Sequence, residues 1–99
     1  MKLFILSLAL LVSFSSHAGK MKELLIETDD AINYEMYKNA DLSVEEISNH
    51  KLGSKDGLIT VTADVVTRNP HNGKLGSWEC VVSFKLENQV AEFSDIDCH

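Results

Sequence analysis

An Asn-Gly step at residues 72–73 lies between two runs of alternating apolar residues, and this arrangement restricts the fold more than any other feature of the chain. Asn-Gly is the strongest two-residue signal for a β-hairpin, because both central positions of a type I′ turn need positive φ. Before it, Leu58 to Thr67 is rich in β-branched residues, with Ile59, Val61, Ala63 and Val65 on one face. After it, Trp78, Cys80, Val82, Phe84 and Leu86 alternate in the same way. A turn centred on the Asn-Gly step places Ile59 opposite Leu86, Val61 opposite Phe84, Ala63 opposite Val82, Val65 opposite Cys80 and Thr67 opposite Trp78. A slip of one residue would turn every apolar side chain to the wrong face. Pro70 falls near the end of this hairpin, where a missing N–H is tolerable, and Gly76 marks a possible bulge.

The flanking segments complete an α+β pattern. Residues 22–39 predict a helix, with Leu24, Leu25, Ala31, Ile32 and Met36 near one stripe and no Pro or Gly between them. Thr28-Asp29-Asp30 offers a rival N-cap, which would start the helix later. Asn39-Ala40-Asp41 ends it. Residues 42–52 carry conflicting signals. Ser43-Val44-Glu45-Glu46 spells a capping box, while Leu42 and Val44 alternate as in a strand until Ile47 breaks the period. The strand is preferred, because Gly53 to Gly57 reads as a hairpin turn. A last strand runs from about Val90 to Cys98. Pairing Phe84 with Phe93 and Cys80 with Cys98 requires registers that differ by one residue. Either a bulge near Asp95–Asp97 reconciles them or the terminus leaves the ladder.

The expected fold is therefore one N-terminal helix on an antiparallel meander of three or four strands. Trp78, Val82, Phe84, Val61 and Ile59 form the covered face. Thr60, Thr62, Asp64, Glu79, Ser83 and Lys85 form the wet one.

The N-terminus reads as an export signal. Met1-Lys2 is followed by an apolar run from Leu3 to Phe14, and Ser16 and Ala18 are small residues at −3 and −1 of a cut after Ala18. The run falls short of the roughly 20 apolar residues that cross a bilayer. Gly19 rather than Cys follows the cut, which argues against a lipid anchor. Residues 1–18 are thus expected to be removed and 19–99 to form one small domain, periplasmic or secreted. Two cysteines in an oxidising compartment allow one intramolecular pairing, Cys80 with Cys98.

Composition enters where function is concerned. The 99 residues carry a net charge of −6, and loss of Lys2 takes the mature chain to −7. Such a balance disfavours a nucleic-acid partner. No phosphate-cradling, zinc-binding or nucleophile-elbow motif is present, and His50, His71 and His99 are scattered. The expectation is a protein that is not an enzyme and needs neither cofactor nor metal.

Against the acidic background, Arg68-Asn69-Pro70-His71-Asn72-Gly73-Lys74 holds two fixed cations, a histidine and no acid. Arg68, His71, Asn72 and Lys74 are the candidate binding residues, placed on a hairpin tip that would enter an acidic cleft of a protein in the cell envelope. Tyr34, Tyr37 and any exposed edge of Trp78 are secondary anchors. The competing reading is a small-ligand carrier or envelope stress protein, with an apolar cavity near Trp78, Phe84 and Phe93.

Overall fold

The computed structural model describes residues 18–99, with side chains from residue 21 onward. Of the export segment read from the sequence, only Ala18 falls within them; residues 1–17 lie outside. Helix α1 spans Ala18–Ala40, β1 Ser43–Lys55, β2 Leu58–Arg68, β3 Leu75–Glu87 and β4 Val90–Cys98. The four strands form one antiparallel sheet in the order β1-β2-β3-β4, with the helix on one face. Among the described residues no helix is long and apolar enough to cross a membrane.

The helix packs through four residues spaced by four: Leu24, Thr28, Ile32 and Met36 are buried. At about 100° per residue, a step of four drifts by roughly 40°, so this stripe winds slowly around the helix. Leu25 and Ala31, expected in the stripe, lie only partly buried at its edge. Thr28 does not cap anything. It sits mid-helix, where its hydroxyl donates to the Leu24 carbonyl at 2.8 Å, so a buried polar group keeps a partner without leaving the helix. Asp41, at φ 55°, stops the helix in the left-handed region that Asp tolerates, and the Leu42 N–H turns back to the Met36 carbonyl at 3.0 Å.

Opposite this stripe lie Val61, Ala63 and Val65 of β2 and Cys80, Val82 and Phe84 of β3, all buried. The expected faces are therefore present, but the expected pairs are not. Val61 faces Val82, Ala63 faces Cys80, Val65 faces Trp78 and Thr67 faces Gly76. The register is displaced by two residues, which leaves side-chain parity intact. The turn explains the displacement. Strand pairing stops at Arg68 and Leu75, and the Asn69 N–H donates to the Lys74 carbonyl at 2.8 Å, leaving four residues in the loop. Pro70 presets the φ of a type I turn and cannot donate to a ladder, so it outweighs a two-residue turn at Asn72-Gly73. Gly73, at φ 74°, still serves in the left-handed position that follows.

Gly76 marks no bulge. It pairs with Thr67, and a Cβ there would stand 3.1 Å from Thr67 Oγ1, beside the Trp78 Nε1–H that donates to the same oxygen at 3.0 Å. The bare backbone makes room for that contact.

Strand β1 resolves the ambiguous segment as strand, with two irregularities. One falls between Val44 and Glu46 and a second between Ser48 and Lys51. The first bulge explains why Ile47 breaks the alternation: an extra residue at Glu45 returns Ile47 to the inner face, opposite Val65. Ser43 forms no capping box; its hydroxyl donates to the Arg68 carbonyl at 3.2 Å. The turn to β2 is confined to Asp56 and Gly57, at φ 53° and 81°, as a type I′ hairpin requires. Gly53, Ser54 and Lys55 lie inside the strand instead. Thr60, expected to be wet, is buried, because its side chain lies over the bare backbone of Gly53.

Strand β4 satisfies both registers at once. Cys98 faces Cys80 and Phe93 faces Phe84, with the shift falling between Asp95 and Phe93, so the extra residue is Ser94 rather than one of Asp95–Asp97. Glu79 and His99 exchange both backbone hydrogen bonds, at 2.8 and 3.0 Å. The cysteines therefore occupy the next, non-hydrogen-bonded pair, where opposing side chains come closest. Their disulfide joins directly opposed residues of neighbouring strands, with Cα atoms 4.0 Å apart.

Leu86 continues the inner alternation beyond the reach of the helix and is 53% exposed. Phe84→Ala is therefore expected to cost about 3–5 kcal/mol, read as a fall in the urea midpoint, whereas Leu86→Ala should change it by no more than about 0.5 kcal/mol.

Candidate functional site

The hairpin end is built from its own hydrogen bonds. The Gly73 N–H donates to the Asn69 carbonyl at 2.7 Å. Asn69 Oδ1 accepts from the His71 N–H at 2.8 Å, and Asn72 Oδ1 accepts from the Lys74 N–H at 2.9 Å. Asn side chains commonly close turns in this way. Arg68 reaches across the loop, where Nη1 donates to the Gly73 carbonyl at 3.0 Å. Asn72 is thus a turn-forming residue, and Arg68 clamps the loop from its base.

The tip is less basic in space than in sequence. Arg68 Nε stands 3.5 Å from Glu45 Oε2 of β1, and His71 Nε2 stands 3.0 Å from Asp41 Oδ2 at the helix end. Both acids arrive because only Asp41 and Leu42 separate α1 from β1, which places the start of β1 beside the end of β2. Reading the loop by itself missed them, since they lie more than twenty residues earlier in the chain. Lys74 is exposed and takes part in no ion pair among the described residues.

The remaining histidines act in the same manner. His50 Nε2 stands 2.7 Å from Asp29 Oδ1 and ties β1 to the helix, while His99 Nε2 stands 3.4 Å from Glu79 Oε1. The second irregularity of β1 places Asn49 at φ 56°, from which its amide donates to Asp64 Oδ2 at 2.8 Å. His50, His71 and His99 thus each join a carboxylate of another segment. Among the described residues no three His, Cys, Asp or Glu side chains converge as metal ligands would.

The secondary aromatic candidates separate. Trp78 packs against the core and is only partly buried, with its N–H satisfied by Thr67. Tyr34 and Tyr37 are exposed on the helix. Tyr34 forms one wall of an open groove between α1 and β4, whose lining is Asp30, Ala31, Tyr34, Glu35, Phe93, Asp95 and Ile96. Phe93 forms the other wall. The sequence offered a trace of this groove: Tyr34 as a secondary anchor, and Phe93 opposite Phe84. What it lacked was the position of β4 relative to the helix flank.

No protein-family model, curated protein or solved structure matches the chain. The chemistry of these two surfaces must therefore carry the functional reading.

Gly73→Ala tests the loop geometry. A left-handed φ imposed on a residue with a Cβ costs about 1–2 kcal/mol, so the variant should melt lower while its β2–β3 register, followed by cross-strand nuclear Overhauser effects, stays unchanged.

Proposed function

We propose that residues 19–99 act in the periplasm or outside the cell as a small binding module that grips another protein rather than transforming a substrate. The observation that carries this reading is the hairpin end. Six residues from Asn69 to Lys74 are held by hydrogen bonds of their own, with a further one from Arg68. A loop already in its final shape loses little conformational entropy when a partner closes on it. Lys74 supplies a cation at that end in a chain of net charge −6, and a local charge of opposite sign orients a partner during encounter. The disulfide is compatible with an oxidising compartment and supports placing the module there. The dispersed histidine–carboxylate pairs add support, since they tie segments of the described residues together.

The carrier reading gains less from the packing. The space between helix and sheet is filled by Ile32, Met36, Val61, Val65, Val82 and Phe84, all at most 1% exposed. The three aromatic residues that motivated it are divided between core, rim and surface.

Affinity capture from cell-envelope extracts, using the oxidised mature chain as bait, tests the module. One protein should be retained stoichiometrically, and Lys74→Glu should weaken its retention about tenfold, equivalent to about 1.4 kcal/mol. Retention of nothing above background by the unaltered chain would overturn the reading.

A further inference from the structure

We propose that the groove between α1 and β4 seats an arginine-bearing segment of another protein, with the guanidinium over the rings of Tyr34 and Phe93 and against the surrounding carboxylates. This rests on the binding-module reading above and adds a second contact surface to it, with a partner chemistry of its own.

Two aromatic rings face the groove from different elements, and both are largely out of the core: Tyr34 is 63% exposed and Phe93 52%. Phe93 is nevertheless held in place. Its ring meets buried Phe84 edge to face, with centroids 6.5 Å apart and planes at 83°, which fixes its orientation while leaving the ring accessible. Rigid, half-exposed aromatics are the residues that most often anchor a partner.

The rim selects the sign of that partner. Asp30 and Glu35 line the groove from the helix, while Asp95 borders it from β4 but stands opposite Ser83 and turns its side chain to the other face of the sheet; among the described residues no lysine or arginine lines it. Asp30 meets no cation of this chain among the described residues, and Glu35 accepts a hydrogen bond from Asn39, through Oε1 at 2.8 Å. Aromatic faces attract cations, and carboxylates bind a guanidinium through its planar fork of donors, so arginine satisfies both features where lysine satisfies them less well. The net charge of −6 draws such a segment in over a longer range.

The same residues exclude the other occupants. An anionic membrane surface would meet the carboxylates of Asp30 and Glu35. Addition of a fifth strand along the free edge of β4 would meet the break at Ser94 together with Glu92, Asp95 and Asp97. At the hairpin end of a second copy Arg68 pairs with Glu45 and His71 with Asp41, so the cation left to offer is Lys74, which lacks the planar fork of an arginine.

The test uses the oxidised mature chain, isotopically labelled, titrated with a short peptide of arginine alternating with leucine and with its glutamate-for-arginine counterpart. Amide shifts should cluster on residues 30–35 and 93–96, saturate, and weaken at least fivefold when salt is raised well above physiological strength. Phe93→Ser and Asp30→Asn, both at exposed positions, should each weaken binding about tenfold while the rest of the spectrum is retained. Shifts centred on residues 68–74, equal binding of the glutamate peptide, absence of saturation or indifference to both variants would each overturn the groove. Loss of self-association in Phe93→Ser, seen by ultracentrifugation, would overturn it in favour of a second copy as occupant. A captured envelope protein lost with Lys74→Glu but kept by Phe93→Ser would sustain the binding module and remove only the groove.

Discussion

The fit of one winding helical stripe onto one sheet face holds everything else in place. Leu24, Thr28, Ile32 and Met36 meet the alternating residues of β2 and β3, which together make the buried core of the described residues. A four-residue repeat that drifts around the helix suits a twisted sheet, because the contact line must rotate as it travels. The buried threonine in this stripe is affordable only because its hydroxyl turns back on its own helix. Both candidate surfaces are by-products of the fit: the loop lies beyond the C-terminal end of the helix, and the groove lies along the flank that β4 leaves open.

The faces of the central hairpin were legible because burial enforces parity, and parity survives a displacement by two. Its pairs were not legible, because two turn signals overlap within five residues. Asn72-Gly73 favours a two-residue turn, while Asn69-Pro70 favours a wider one, and the lack of an N–H at Pro70 decides between them. The edge strands were hardest to read for a different reason. Bulges at Glu45, at Asn49-His50 and at Ser94 each interrupt a period of two, so a real strand imitates irregular sequence. Such interruptions belong at exposed edges, where they hinder pairing with other chains.

Legibility of the sites followed the same division. The loop residues are contiguous, so the sequence announced them, but their charge partners Asp41 and Glu45 come from another element. The groove residues are split between positions 30–35 and 93–96, and only the path of the sheet brings them together. Local chemistry is visible in a sequence; its neutralisation or completion by a distant segment depends on register and is not.

The meander has a consequence for how the chain reaches its native state. Each strand pairs only with the one next to it in sequence, so no long loop must close before a ladder can form. Contact order is low for a sheet protein, which favours rapid folding. The two thiols are set face to face by hydrogen bonds of the Glu79–His99 pair beside them. Oxidation can thus follow assembly rather than guide it, and the covalent link acts as a lock on a tail that has already docked.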